Sequence, residues 1–254
     1  MKNLEFLYHF IEDYAKSKSL SNTLLALPLA QELLGDMPRR TFKTDAGTLT
    51  CLEHCLCSTK MLIDLHTMLP SEEEDLLLAS TLCLDFPKKV AFSENGQELI
   101  DTYHLDSRIL EVIQTVARPD AMSEEEKAQY YQKIHDNKLA VLVALAERSN
   151  LVEQLSELSI SDVNEFVHEM RTHCLPMCVN AKQHCRDCHM SINIMMEKIR
   201  CLIDVTDIIA NRYQKREMAY TNEILSIMEE NARLRGMIHQ LEIGEIADSD
   251  CFFK

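Results

Sequence analysis

Four cysteines and three histidines are concentrated between residues 173 and 189, and both residue types are strong ligands for zinc. The cysteines follow the spacing Cys-x3-Cys-x6-Cys-x2-Cys. Only the last interval matches that of a zinc knuckle, so the pattern differs from a standard finger. It defines a candidate zinc site made of Cys174, Cys178, Cys185 and Cys188.

The helical geometry of this stretch leaves two interpretations of the cysteines open. If the stretch is one helix, Cys174 and Cys188 lie about 21 Å apart and cannot share one ion. The spacings then place all four cysteines on one buried stripe, where Cys packs as a small hydrophobe. If the chain turns between residues 179 and 185, the two pairs converge and can hold zinc.

The composition bounds the class of protein. The chain has 254 residues, 46% of them apolar, with a net charge of −15 and only 5 Gly and 6 Pro. The scarcity of Gly and Pro favours helices joined by short loops, which predicts an all-α fold. The acidic charge argues against nucleic-acid binding, because that function needs a basic surface to neutralise phosphates.

The N-terminal segment MKNLEFLYHFIEDYAKSK carries too many charges for a secretory signal. The sequence has no run of about 18 apolar residues, so no membrane partner or membrane span is expected. The 10 cysteines then indicate a reducing compartment, in which they are thiols or metal ligands. We therefore expect a cytoplasmic protein.

Helical periodicity dominates the chain and divides it into four segments. These are N-terminal helices within 1–36, a helical domain over 37–205, a C-terminal helix over 206–243 and a disordered tail over 244–254. The shorter helices are predicted at 3–16, 21–34, from about 51 to Leu69, from 72 to before Pro87, 94–105 and 106–117. Residues 124–150 are predicted as one or two helices, and residues 161–210 as helical with an interruption near 176–188. Residues 37–50 are predicted as a loop.

Two helix starts carry the sequence of a capping box, in which each side chain bonds the other residue's backbone amide. Ser71 with Glu74 and Ser123 with Glu126 both fit this pattern. The acidic residues around them also suit the positive end of a helix dipole.

The C-terminal helix contains a heptad seam, because its apolar residues alternate spacings of three and four. A single Asn at an a position usually fixes two strands in register, so the seam predicts a homodimer. The alternative is that the helix docks on its own domain and leaves this Asn solvated. The seam consists of Ile224, Ile227, Asn231, Leu234, Ile238 and Leu241.

Residues 40–155 resemble the HD hydrolase domain of the guanosine-polyphosphate (RelA/SpoT-type) family. Three pieces match in order: LEHCLCSTKML, EEEDLLLASTLCLDF and YYQKIHDNKLAVLVALAERSNL. In that family, helices with these motifs bring two His and two Asp together around a divalent ion. The ion lowers the pKa of a bound water, which then attacks phosphorus. The resemblance implies an HD-like helical bundle and a guanine nucleotide as ligand.

Carried over by resemblance, the metal site of this chain is degenerate. His54 matches the first ligand and Asp85 the third, while Glu147 replaces the final Asp with a longer side chain. Leu84 stands where the second His belongs, and a leucine cannot bind a metal ion. If the site is active, the resemblance implies manganese as its cofactor.

Four basic residues are the expected phosphate contacts of this site. Lys88 and Lys89 stand where the family has two acids that position the attacking water, so the local charge is inverted. Lys43 and Arg148 occupy positions at which the family also has basic residues, and Asn150 falls one residue early. The ammonium groups of Lys88 and Lys89 would repel a metal cation and favour a phosphate.

The resulting expectation is a catalytically impaired HD-domain protein that regulates by binding a nucleotide or a protein partner. Two alternatives remain open at this point. One is an active metal-dependent phosphohydrolase of guanosine polyphosphates, and the other is a structural coiled-coil interaction protein.

Overall fold

The computed structural model describes residues 4–38, 50–88, 92–119, 121–152 and 159–250, with side chains described for all of these except 88, 92–95 and 237–250. Within these ranges the fold is all-α, which confirms the prediction from composition. The described residues contain one isolated β-bridge, between Pro38 and Thr50.

The described residues form eleven α-helices, one π-helical turn and two 3-10 turns. The α-helices are α1 (Leu4–Lys18), α2 (Ser21–Leu34), α3 (Cys51–Asp64), α4 (Ser71–Leu82), α5 (Phe92–Thr102), α6 (Ser107–Val116), α7 (Glu124–His135), α8 (Lys138–Val152), α9 (Ile160–Glu169), α10 (Leu175–His184) and α11 (His189–Asp250). The π-helical turn is Met170–Cys174, and the 3-10 turns are Phe86–Lys88 and Arg186–Cys188.

Helix α8 lies at the centre of the bundle. Its sequence KLAVLVALAERSNLV is apolar on nearly every side, and nearly all of its side chains are buried. A helix that is hydrophobic all round is stable only in a core. It packs against α3, α4, α6 and α7, and α3 also packs against α4. Helices α3, α4 and α8 therefore contact one another, and they position the candidate site.

A buried carboxylate joins α4 to the start of α2. Asp75 accepts hydrogen bonds from the backbone amides of Asn22 and Thr23, at 2.9 and 2.8 Å, and from both of their side chains. These amides belong to the first turn of α2, where backbone N–H groups lack partners within the helix. The acidic run at the start of α4 therefore supplies a cap to a different helix.

Several predicted boundaries are confirmed. Helix α2 covers the predicted residues, and the Ser123–Glu126 capping box forms at the start of α7. The predicted helix over 124–150 is resolved into α7 and α8. The interruption predicted near 176–188 occurs at Cys185, whose ψ of 71° takes the chain out of the helix.

The predicted end of the helix that contains His54 was wrong. Helix α3 ends at Asp64 and does not reach Leu69. His66 has a φ of 45°, in the left-handed region, and its amide bonds the carbonyl of Ile63 at 3.0 Å. A left-handed residue at this place is a common way to end a helix.

The predicted capping box at Ser71 was also wrong. Pro70 is the N-cap of α4, and no side chain caps this helix end. The carboxylate of Glu74 instead accepts hydrogen bonds from Tyr14, at 2.6 Å, and Lys18, at 3.0 Å. Partners held on a packed neighbouring helix are thus favoured over the local backbone amide.

Helix α11 continues to Asp250, beyond the predicted end of the C-terminal helix at residue 243. Gly244 costs only about 1 kcal/mol relative to Ala within a helix, so it does not stop one. The predicted loop over 37–50 lies largely outside the described residues.

The chain divides into two units, Met1–Asp207 and Ile208–Lys254, and the division falls within α11. We call His189–Asp207 the inner stretch of α11 and Ile208–Asp250 its outer stretch. The inner stretch buries Ile192, Met196 and Ile199 in the first unit. None of the described helices is both long enough and apolar enough to span a membrane.

Candidate functional site

The expected metal ligands lie on α3, in the turn after α4 and on α8, in or beside the core. His54, on α3, is fully buried, and Asp85, in the turn after α4, is 2% exposed. Leu84 is also buried and supplies no ligand atom. The side chain of Glu147 on α8 is 15% exposed.

The imidazole of His54 is bound by Asn150 on α8. The amide nitrogen Nδ2 of Asn150 lies 2.9 Å from Nδ1 of His54, 3.2 Å from the backbone oxygen of His54 and 3.4 Å from Oγ of Ser58. A carbonyl oxygen only accepts hydrogen bonds, so the Asn150 atom beside it must be the N–H donor. Nδ1 of His54 is therefore the acceptor, and its proton resides on Nε2.

This tautomer is the reverse of that found in most metal-bound histidines that use Nε2. Such histidines donate Nδ1–H to a carboxylate or carbonyl and direct the Nε2 lone pair at the ion. Here an amide donor occupies Nδ1 and Nε2 carries the proton. Among the described residues, no three His, Cys, Asp or Glu side chains are grouped so that they could hold a metal ion. The manganese site expected from the resemblance therefore stays a prediction.

Arg148, expected as a phosphate contact, points into the protein. Its side chain is 4% exposed, and its Nη1 lies 3.1 Å from Oε2 of Glu147. Burial by itself lowers the pKa of Arg148, but Glu147, the two tyrosines of α7 and Glu169 together raise it well above its usual value. The guanidinium is thus a fixed internal cation with carboxylate neighbours.

Glu169, at the end of α9, is the centre of a buried ionic cluster that the sequence did not reveal. Its carboxylate accepts two hydrogen bonds from Arg118 and one from the hydroxyl of Tyr131, all at 2.7 Å. Nη2 of Arg148 lies 3.8 Å away. We call these four residues the Glu169 cluster.

Opposing effects set the protonation of this cluster. Burial raises the pKa of Glu169, but Arg148, Arg118 and the Tyr131 hydroxyl outweigh it, so the net pKa is below the usual value. Burial also raises the pKa of Tyr131 well above its usual value. A charged Glu169 and a neutral Tyr131 are the stable forms near neutral pH.

The Glu169 cluster lies next to the π-helical turn, which begins at Met170. The same turn contains His173, whose ring stacks on Tyr131 with centroids 5.8 Å apart. Nε2 of His173 lies 3.0 Å from a carboxylate oxygen of Glu124. π-Helical turns are frequent at functional sites. This one positions an imidazole against the cluster.

The four cysteines of the candidate zinc site are all buried. Cys174 belongs to the π-helical turn and Cys178 to α10, whereas Cys185 is the residue at which α10 ends and Cys188 belongs to the following 3-10 turn. Burial raises the pKa of Cys188 to about 12, which favours the neutral thiol. No metal-binding group of three includes them in the described part of the chain, so the zinc site stays a prediction.

The side chains of the remaining expected phosphate contacts lie outside those described. Lys43 and Lys89 lie outside the described residues, and only the backbone of Lys88 is described, at the end of a 3-10 turn. Of the four expected contacts, Arg148 alone has a described side chain.

A cleft of about 510 Å³ in the first unit reaches the Asn150 side chain. The volume falls within the usual range for small-ligand sites. Its lining is mostly apolar and includes two ammonium groups. Residues that line it include Phe6, Cys57, Lys60, Asn150, Met195 and Lys198.

The outer stretch of α11 presents the predicted heptad seam on its surface. Ile224 is 58% exposed, Ile227 54% and Leu234 43%, and Asn231 is also exposed. The side chains of Ile238 and Leu241 lie outside those described. Isolated exposed apolar residues are common, but a repeated series on one face marks an interaction surface.

Comparison with known proteins adds no family to this description. No protein-family model matches the chain, and no curated protein matches it significantly.

Proposed function

We propose that this chain is a regulator that acts by binding, built on an HD-type scaffold that does not hydrolyse its ligand. The three motifs that resemble the guanosine-polyphosphate hydrolases support the scaffold. The mutual packing of α3, α4 and α8, which carry most of those motifs, is consistent with it.

The hydrogen bond from Asn150 to Nδ1 of His54, at 2.9 Å, is the observation that carries the proposal. It holds the best-preserved metal ligand in a tautomer whose Nε2 carries a proton instead of a lone pair. The leucine at 84 removes a second ligand. A metal-activated water needs a charged ion fixed by several ligands, so both features work against hydrolysis.

The candidate ligand is a guanosine polyphosphate, as the resemblance implies. Lys43, Lys88 and Lys89 would supply its phosphate contacts. Arg148 is already engaged by Glu147, so we assign it a supporting role in this proposal. A protein with a net charge of −15 needs such a local group of cations to bind a polyanion.

Isothermal titration with guanosine tetraphosphate, in buffer without divalent metal, tests the binding function. The wild-type chain should bind, and the Lys88→Glu/Lys89→Glu double variant should bind at least tenfold more weakly. Lys16→Glu is the matched control, because it reverses an exposed lysine of α1 and should leave affinity unchanged. The proposal fails for this ligand if there is no binding, or if the control and the double variant lose the same affinity.

A second function, self-association through α11, is favoured by the exposed seam. Three aliphatic residues of the described seam are more than 40% exposed, and burial of each is worth about 1.5–3 kcal/mol. A homodimer would bury them. Light scattering on the full chain should give twice the monomer mass, and Ile227→Asp should lower it. A monomeric wild type would contradict self-association and leave nucleotide binding unaffected.

A further inference from the structure

We infer that the outer stretch of α11 pairs with a second copy of this chain as a parallel, two-stranded coiled coil in exact register at Asn231. The inference rests on the self-association proposed above, and it specifies the partner, the strand direction and the register.

The heptad positions of the seam, continued towards the start of α11, coincide with positions that the first unit buries. Counting back in steps of seven from Ile224 and Ile227 reaches Ile203, Met196, Ile199 and Ile192. All four are at most 2% exposed in the first unit. The same heptad positions are therefore buried in the inner stretch and exposed at Ile224, Ile227 and Leu234. Between these stretches the a and d positions hold Thr206, Ala210, Tyr213, Glu217 and Tyr220.

Asn231 fixes the number of strands and their direction. Ile at a positions with Leu at d positions favours two strands, and an Asn at a favours the dimer at some cost in stability. In a parallel, in-register pair, Asn231 faces Asn231 of the partner subunit, so the two amides bond each other. In an antiparallel pair an a residue faces a d residue, which here is Ile or Leu, and each amide loses its partner. Burying an unpaired amide costs free energy.

The charges beside the seam agree with the parallel direction. Glu230 occupies a g position and Arg235 the following e position. In a parallel pair, g of one strand meets the following e of the other, so Glu230 meets Arg235 of the partner subunit. An antiparallel pair instead brings g residues opposite g residues, and Glu223 and Glu230 are both acids. Within one chain Glu230 bonds Arg233, at the outward c position, at 2.7 Å, so in the dimer Arg235 of the partner subunit competes with Arg233 for this carboxylate.

The same features indicate that the partner that binds the outer stretch of α11 is a second copy of this chain. A two-fold interface is self-complementary, since each patch meets the identical patch. This stretch contains both halves of the charge pair and an amide whose best partner is the same residue.

Disulfide trapping on the full chain tests direction and register. Leu234→Cys is made in a background with Cys201→Ser and Cys251→Ser, which removes an exposed thiol and the thiol of the C-terminal segment. In the inferred dimer the two introduced thiols face each other at a d position. Mild oxidation should therefore give more than half covalent dimer. Glu229→Cys, at the outward f position, is the control and should give little.

Three results are distinguishable when light scattering accompanies the trapping. A dimer that cross-links through Leu234→Cys and not through Glu229→Cys supports the inference. A dimer that does not cross-link through Leu234→Cys overturns the direction or register and leaves self-association intact. A monomer overturns both. Leu234 is exposed, so circular dichroism should show an unchanged helix content for the variant.

Charge exchange gives an independent measurement. Glu230→Arg should weaken the dimer roughly two- to fivefold, because it places two like charges together. Adding Arg235→Glu should restore the affinity in a parallel pair. Failure of the second change to restore it would contradict the parallel arrangement.

Discussion

The interior around His54 and the Glu169 cluster differs from the outer stretch of α11 in what its functional side chains contact. In the interior, the imidazole of His54 is held by an amide, and Arg148 and Arg118 have carboxylate neighbours. On the outer stretch, Ile224, Ile227 and Leu234 are largely exposed.

This difference distinguishes residues that could take part in a reaction from residues that could bind a partner. Groups that could activate water or bind phosphate in the interior already have protein partners, which fix their positions and charge states. The aliphatic face of the outer helix has its stabilising contacts still to make. This distribution supports the proposed binding function.

The largest expected effect is at the Glu169 cluster. Glu169→Gln keeps the shape of the side chain but removes the charge between Arg118 and Arg148, so it should lower the free energy of unfolding by about 3–5 kcal/mol. Urea denaturation followed by circular dichroism measures this. Glu165→Gln is the control, because that side chain is 69% exposed and should change stability by less than about 0.5 kcal/mol.

The effect of Glu169→Gln should also depend on pH. The folded pKa of Glu169 is lowered, so its contribution is fully present above the unfolded value of about 4.3 and is lost as pH falls through the folded pKa. The stability difference between wild type and variant should therefore shrink on acidification below about pH 4. A difference that stays constant down to the acid transition would contradict the assigned role.

The next largest effect on stability is expected for one of two isoleucines that occupy equivalent d positions of α11. Ile199→Ala, in the inner stretch, removes a fully buried side chain and should cost about 2–5 kcal/mol of unfolding free energy. Ile227→Ala, in the outer stretch, should leave the unfolding of the first unit within about 0.5 kcal/mol and weaken self-association instead. Thermal unfolding and light scattering measure the two quantities. Equal loss of stability in both variants would remove the distinction between the stretches.

A smaller effect on the free energy of unfolding is expected when Asn150 is replaced. Asn150→Leu removes the donor to His54 and Ser58 and should lower stability by about 1–3 kcal/mol, because buried acceptors lose their partner. Nitrogen-15 NMR of the His54 ring should show the proton on Nε2 in the wild type. Asn150→Asp, of the same size, should move the proton to Nδ1. A wild-type ring with its proton already on Nδ1 would contradict the hydrogen-bond assignment.

The smallest effect on stability is expected for the surface ion pairs between the π-helical turn and α11. Arg171 contacts Asp204 at 2.7 Å and Asp207 at 3.1 Å, and its side chain is 44% exposed. Arg171→Gln should therefore cost no more than about 1 kcal/mol in low salt, and less at high ionic strength. A larger or salt-independent loss would mean that these pairs are less solvated than their exposure indicates.

Local signals in the sequence predicted much of the fold. The composition indicated an all-α chain, and periodicity located α2 to the residue. The capping box at Ser123 was found because its two partners are three residues apart. The similar pattern at Ser71 failed because Glu74 bonds Tyr14 and Lys18, which are 60 and 56 residues away.

The candidate site was predictable only in part, for the same physical reason. The motif around His54 pointed to a metal ligand, but its hydrogen bond to Asn150 joins residues 96 positions apart. The Glu169 cluster joins Arg118 and Tyr131 across 51 and 38 residues. The spacing of residues along the sequence does not predict such pairs, because tertiary packing and not helical periodicity brings them together.

Pyrophosphate release from guanosine tetraphosphate in the presence of manganese tests most directly whether the chain binds without hydrolysing. The wild-type chain, purified without chelator or affinity tag, should release no pyrophosphate above the rate without protein. Manganese-dependent release that His54→Ala abolishes would contradict the account and establish the hydrolase alternative.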